Sequence, residues 1–107
     1  MTKDDDHGWT QARRIEVVVD LPLLRQLIRW AQEAGVETFH VVHTIAGSDS
    51  RGPWSDDRVT GGAGSRVVFT ATAAAAPAER FLQLLRSQGG AYELRTVISD
   101  VRTDTPG

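Results

Sequence analysis

Arg13 to Ile45, RRIEVVVDLPLLRQLIRWAQEAGVETFHVVHTI, decides the fold, because its hydrophobic period changes twice. From Arg13 to Asp20 the residues Ile15, Val17 and Val19 alternate with others, and β-branched side chains at this spacing predict a strand. Asp20 then stands where a helix N-cap is expected, with Pro22 in the first turn. Leu23, Leu24, Leu27, Ile28 and Ala31 follow at helical spacing until Gly35 offers a left-handed C-cap. From Val36 to Ile45 the period returns to two, with Phe39, Val41, His43 and Ile45 in register, which predicts a second strand.

The same order recurs downstream. Arg66 to Thr72 (RVVFTAT) predicts a third strand, and Pro77 opens a helix carrying Phe81, Leu82, Leu84 and Leu85. Gly89 and Gly90 end that helix, and a last strand is expected from Tyr92 to about Val101. Two strand–helix–glycine–strand units in tandem predict an α+β chain of the ferredoxin-like βαββαβ type (a split βαβ), with a four-stranded antiparallel sheet and both helices on one face. Val18, Val42, Val68 and Val97 fall on the opposite face, which a solvated sheet would fill with polar residues. No third helix remains to cover it, so a homo-oligomer is expected.

The 107 residues suffice for one core, and the domain is expected over residues 12–103 between polar tails at 1–11 and 104–107. No apolar run approaches the roughly 20 residues of a membrane span, so direct membrane insertion is not expected. The stretch Met1–Thr2–Lys3–Asp4–Asp5–Asp6–His7 lacks the apolar region of a secretory signal, and the cytoplasm is the expected compartment. With no cysteine, disulfides, thiolate nucleophiles and CxxC metal motifs are excluded. A net charge of -2 with scattered Lys and Arg argues against nucleic acid.

The chemistry-bearing segment is 46–65, AGSDSRGPWSDDRVTGGAGS, which has no period and is longer than most structureless loops in compact domains. Its glycines (47, 52, 61, 62 and 64) let backbone amides approach an anion that Arg51 or Arg58 would neutralise. Neither a GxGxxG after a strand nor a GxxxxGK[ST] P-loop is present. Trp54 is too large for a loop to bury by itself, so it is expected to dock on a subunit of its own assembly, a ligand or a partner. His40 and His43 are separated by an odd number on a strand and point to opposite faces, so they do not chelate one ion together. Asp49, Asp56 and Asp57 have no nearby His, Cys or Lys to complete an acid–base pair, so catalysis is not expected.

The βαββαβ order, the long loop between strands two and three, the Gly89–Gly90 turn and the C-terminal Val101–Arg102–Thr103 together resemble the PII signalling family. The loop is most similar to those of the bicarbonate-linked, carboxysome-associated PII-like branch. The resemblance implies a homotrimer with sheets around a threefold axis, an adenine nucleotide in each inter-subunit cleft, and a mobile T-loop at 46–65. It matches Gly47, Ser48 and Asp49 to the T-loop base, and Gly61, Gly62, Ala63, Gly64 and Ser65 to the approach to the cleft. It also matches Gly89 and Gly90 to the B-loop and Arg102 to a phosphate-binding arginine of the C-loop. Arg51, Gly52, Trp54 and Arg58 are then the T-loop contacts for bicarbonate, another anion or a partner. Three features depart from the family: no tyrosine in the loop for nucleotidylation, no Gly-Arg-Gln-Lys stretch, and no lysine after the B-loop glycines. Fewer cations favour AMP or ADP over ATP, with bicarbonate as a second ligand and an inorganic-carbon or other membrane transporter as the partner. The alternative is a trimeric metal-tolerance protein of the CutA type, which shares the strand order.

Overall fold

The computed structural model describes residues 8–50, 52–55, 66–92 and 94–104. Strand β1 (Thr10–Asp20) leads through a single 3-10 turn (Leu21–Leu23) into helix α1 (Leu24–Ala34) and strand β2 (Thr38–His43). Two short strands, β3 (Ala46–Asp49) and β4 (Gly52–Ser55), follow, and then β5 (Arg66–Ala73), α2 (Ala75–Gln88) and β6 (Arg95–Thr103). Strands β2, β5, β1 and β6 form one antiparallel sheet in that order, with β1 and β5 at its centre. This is the expected ferredoxin-like architecture.

The two helices bury one stripe each. Leu27, Trp30, Ala31 and Ala34 of α1 and Ala78, Phe81 and Leu85 of α2 are buried, the three-and-four spacing that puts residues on one helical face. They meet Ile15, Val17 and Val19 of β1 and Val67, Phe69, Ala71 and Ala73 of β5 in one core. Phe69 lies at its centre, its ring stacked 5.1 Å from Phe39 and 5.7 Å from Phe81. Gly35 takes a left-handed φ of 89°, and the Val36 N–H closes onto the Ala31 carbonyl at 2.9 Å. Arg80 Nε also donates to the freed Ala34 carbonyl, at 3.0 Å, so α2 helps to terminate α1.

Several boundaries differ from the sequence expectation for identifiable reasons. Strand β1 starts at Thr10 rather than Arg13, because Thr10–Ala12 pair with Val101–Thr103 on the long last strand. Asp20 makes no side-chain cap; its carboxylate lies 3.3 Å from Arg66 Nε, since the register places Arg66 directly across the ladder. Helix α2 starts at Ala75, two residues before Pro77; proline is tolerated in a first turn, where N–H groups lack intrahelical partners. Strand β2 is shorter than expected: Val36 is buried beyond the helix cap, and Ile45 is exposed past the last bond, Thr44 N–H to the Arg66 carbonyl at 3.0 Å. Tyr92 stands in a turn, its N–H bonded to the Gly89 carbonyl at 3.0 Å, so β6 begins only at Arg95.

The second sheet face carries the four valines expected there, set among Arg14, Glu16, His40, Thr70 and Thr72. Val18 pairs with Val68, and Val68 with Val42, while Val97 faces Glu16 one step along β1. Residues directly opposite point to the same face, so all four valines lie away from the helices. His40 falls on this face and His43, exposed at the end of β2, on the helix side, as their odd separation requires.

Candidate functional site

The segment read as an unstructured loop carries a hairpin at its base. Ala46–Asp49 pairs with Gly52–Ser55, and this register sets Gly47 directly opposite Trp54. The indole folds across the glycine: a Cβ on Gly47 would lie 2.4 Å from Trp54 Cζ2 and 2.6 Å from Cη2. Above the ring sits Arg66, its guanidinium carbon 4.4 Å from the ring centroid. The indole N–H donates to Thr44 Oγ1 at 3.1 Å, and that hydroxyl donates in turn to the Arg66 carbonyl at 2.7 Å. Trp54 thus docks on its own chain, where the sequence suggested an assembly contact, ligand or partner. A short hairpin supplied the platform that an aperiodic loop lacked.

Alanine at Gly47 is expected to displace the indole and cost about 1–3 kcal/mol through overpacking. The loss of the Trp54–Thr44 bond should appear as a red shift of tryptophan fluorescence. An unchanged spectrum would mean that the hairpin does not need this close approach.

Arg66 is the residue that sequence reasoning missed. Its side chain is 14% exposed, with Nη1 3.1 Å from Asp49 Oδ2 and Nε 3.3 Å from Asp20 Oδ1. It joins the central strand β1, the hairpin strand β3 and the Trp54 ring through one planar guanidinium. Charge-assisted hydrogen bonds of this kind, partly shielded from water, are stronger than exposed ion pairs. A second arginine, Arg95 at the start of β6, donates from Nη2 to Ser50 Oγ at 2.7 Å. The available signal was positional: Arg66 opens the strand that follows the loop, on the valine-bearing face. The arginines singled out from composition, Arg51 and Arg58, lie outside the described residues, as do Gly61, Gly62, Ala63, Gly64 and Ser65.

Of the other candidates, Gly47 and Asp49 belong to this cluster, Ser48 is exposed opposite Pro53, and Gly52 turns the hairpin with φ 111°. Gly89 and Gly90 close α2 at the same end of the sheet as the hairpin, because α2 returns antiparallel to β5. Gly89 is buried; a Cβ there would lie 2.6 Å from the Leu85 carbonyl oxygen and 2.9 Å from Leu94 Cδ1. Both glycines border a cleft of about 610 Å3 between α2 and β6, with Leu82, Tyr92 and Ile98. Arg102 is elsewhere. It pairs with Gln11, whereas Arg66 pairs with Asp20, nine residues along β1 and about 30 Å away at strand rise. One chain therefore places Gly47, Asp49 and the Gly89–Gly90 turn at one end of the sheet and Arg102 at the other.

No protein-family model and no curated protein sequence matches the chain. Solved structures do. CPII from Thiomonas intermedia K12, a nitrogen regulatory PII-like protein bound to ADP, AMP and bicarbonate, superposes with a TM-score of 0.79 at 12% identity, covering 91% of this chain and 92% of that one. A PII-like signalling protein from Thermus thermophilus gives 0.73 at 18% identity, over 89% and 91%. GlnK of B. subtilis in complex with ATP gives 0.54 at 12% identity, over 88% and 83%. Across nine tenths of its length, the chain carries the ferredoxin-like fold of the PII-like proteins.

Proposed function

We propose that the chain is a homotrimeric PII-like regulator that binds AMP or ADP in preference to ATP, together with bicarbonate, in clefts between subunits. It reports occupancy through the loop at 46–65 to an inorganic-carbon transporter, and it regulates rather than catalyses. The observation that carries this reading is the agreement in fold with a protein whose structure holds ADP, AMP and bicarbonate. The Gly89–Gly90 turn supports it, because it borders an open cleft between α2 and β6. Arg102 fits the inter-subunit part, because a guanidinium about 30 Å along β1 from the strand end where Arg66 lies would serve the same nucleotide as the hairpin only if a second copy supplied it. The four valines of the second face, set among polar residues such as Glu16, His40 and Thr70, provide apolar contact points on which copies would meet. Nucleotide and bicarbonate would act by population shift, stabilising one loop conformation that the transporter distinguishes from the others.

Isothermal titration of the purified protein with AMP, ADP and ATP, each with and without bicarbonate, tests the proposal. The expected result is one site per subunit for AMP or ADP, tightened by bicarbonate, with ATP weaker. Absence of any nucleotide binding would overturn it and direct attention to metal binding.

A further inference from the structure

Ile45 follows the last backbone bond between β2 and β5, and at 79% exposure it is the most exposed large hydrophobic among the described residues. The cleft of about 610 Å3 between α2 and β6 opens at the other edge of the sheet, with Leu82, Leu85 and Leu94 in its lining and Tyr92, 44% exposed, beside them. An uncovered apolar knob and an open, partly apolar hollow thus occur on one chain. They do not meet there, because β2 and β6 are the outer strands of the sheet, three strand spacings or about 14 Å apart.

Their placement suits a second copy. Thr44 bonds to Arg66 and Arg66 pairs with Asp20, while Arg95 at the start of β6 pairs with Val18, two residues back along β1. Ile45 therefore stands level with the turn at Tyr92 that leads into β6. Every neighbouring pair in the sheet is antiparallel, so β2 and β6 run in opposite directions. Strand β2 of one copy beside β6 of the next continues that pattern, and it covers two edges that otherwise present unpaired backbone groups. Such a contact joins two different surfaces head to tail, and it ends in a ring where the rotation closes.

We infer that Ile45 of one copy seats against Tyr92 and Leu94 in the α2–β6 cleft of the next, so that each cleft is completed by its neighbour. The inference rests on the homotrimer proposed above, and it names the residue that each copy contributes. One isoleucine side chain takes up only a small part of the hollow, so it forms a wall of the cleft and does not fill it. Ile45 directly precedes Ala46, the first residue of β3. A change in the hairpin of one copy therefore moves a wall of its neighbour's cleft, and occupancy of that cleft acts back on the hairpin.

The test exploits the absence of cysteine from the chain. Full-length protein carrying both Ile45→Cys and Tyr92→Cys is oxidised mildly and run on a denaturing gel without reductant. A disulfide needs Cα atoms closer than about 7 Å, so the two positions do not bridge within one chain. Covalent dimers and trimers are expected from the double variant, whereas either single variant links two copies at most. A double variant that links no further than the single ones would overturn the inference. Ile45→Ser gives a second reading, by sedimentation of the uncrosslinked protein, with circular dichroism to confirm the fold. Loss of one buried isoleucine per contact should raise the dissociation constant of the assembly at least about tenfold, and Ile45→Val should restore most of it. An unchanged constant in Ile45→Ser would also overturn the inference. Light scattering and nucleotide calorimetry on the wild type separate the two failures. A trimer that binds nucleotide but does not cross-link removes only the Ile45 contact, whereas a monomer that binds no nucleotide removes the functional reading beneath it.

Discussion

Glutamate at Val42, and separately at Val97, is expected to leave the chain folded and to abolish the proposed trimer. The two valines are 51% and 52% exposed in the single chain, on the sheet face away from the helices. A polar substitution at such a position changes monomer stability by no more than about 0.5 kcal/mol. In an assembly that covers this face, each subunit would instead bury a carboxylate without a partner, at a cost of several kcal/mol per ion. That penalty recurs in every copy. Light scattering coupled to size exclusion reads the assembly, and circular dichroism confirms the fold. If the proposed inter-subunit site holds, nucleotide affinity should fall with the trimer, because Arg102 and Gly47 lie at opposite ends of one chain. A trimer that survives both substitutions would show that the copies meet through another surface.

Alanine at Phe69 should produce the largest loss of stability in the molecule. Phe69 is fully buried on the central strand β5, and its ring lies between those of Phe39 and Phe81. It therefore couples β2 to α2 as well as filling the core. Truncating a buried phenylalanine costs about 3–5 kcal/mol, from lost transfer free energy and the cavity left behind. Domains of this kind have a total stability of about 5–15 kcal/mol, so a large share of the folding free energy would disappear. Urea titration should show a strongly lowered midpoint with an unchanged slope. A loss below about 1.5 kcal/mol would be the range of a volume-conserving swap, and would place the centre of the core elsewhere.

Most of the fold was legible because it follows from local period. Ile15, Val17 and Val19 alternate, Leu27 and Ala31 recur at helical spacing, and Gly35 marks a stop; each signal needs only neighbouring residues. The valine face was legible for the same reason, since parity along a strand determines which residues share a face once the strand is recognised. Strand ends were less legible. Thr10–Ala12 join β1 only because Val101–Thr103 lie beside them, and Asp20 abandons a capping role because Arg66 lies across the ladder.

The candidate site divided in the same way. Glycine content and an isolated tryptophan marked the loop as unusual, but they did not indicate that Trp54 would lie across Gly47 beneath Arg66. That arrangement depends on a two-stranded register and on a residue twelve positions further along the chain. Composition drew attention to Arg51 and Arg58, which lie outside the described residues, whereas the arginine between Asp20, Asp49 and Trp54 is Arg66, by sequence only the first residue of a strand. The sequence by itself determined the order of elements, the helix-covered core and the shared face of the four valines, because hydrophobic periodicity is a local property of the chain. Only the tertiary structure decided the Asp20–Arg66–Asp49 cluster, the seat of Trp54 and the remoteness of Arg102, because ion pairs and stacking join residues that only strand pairing brings within a few ångströms of one another.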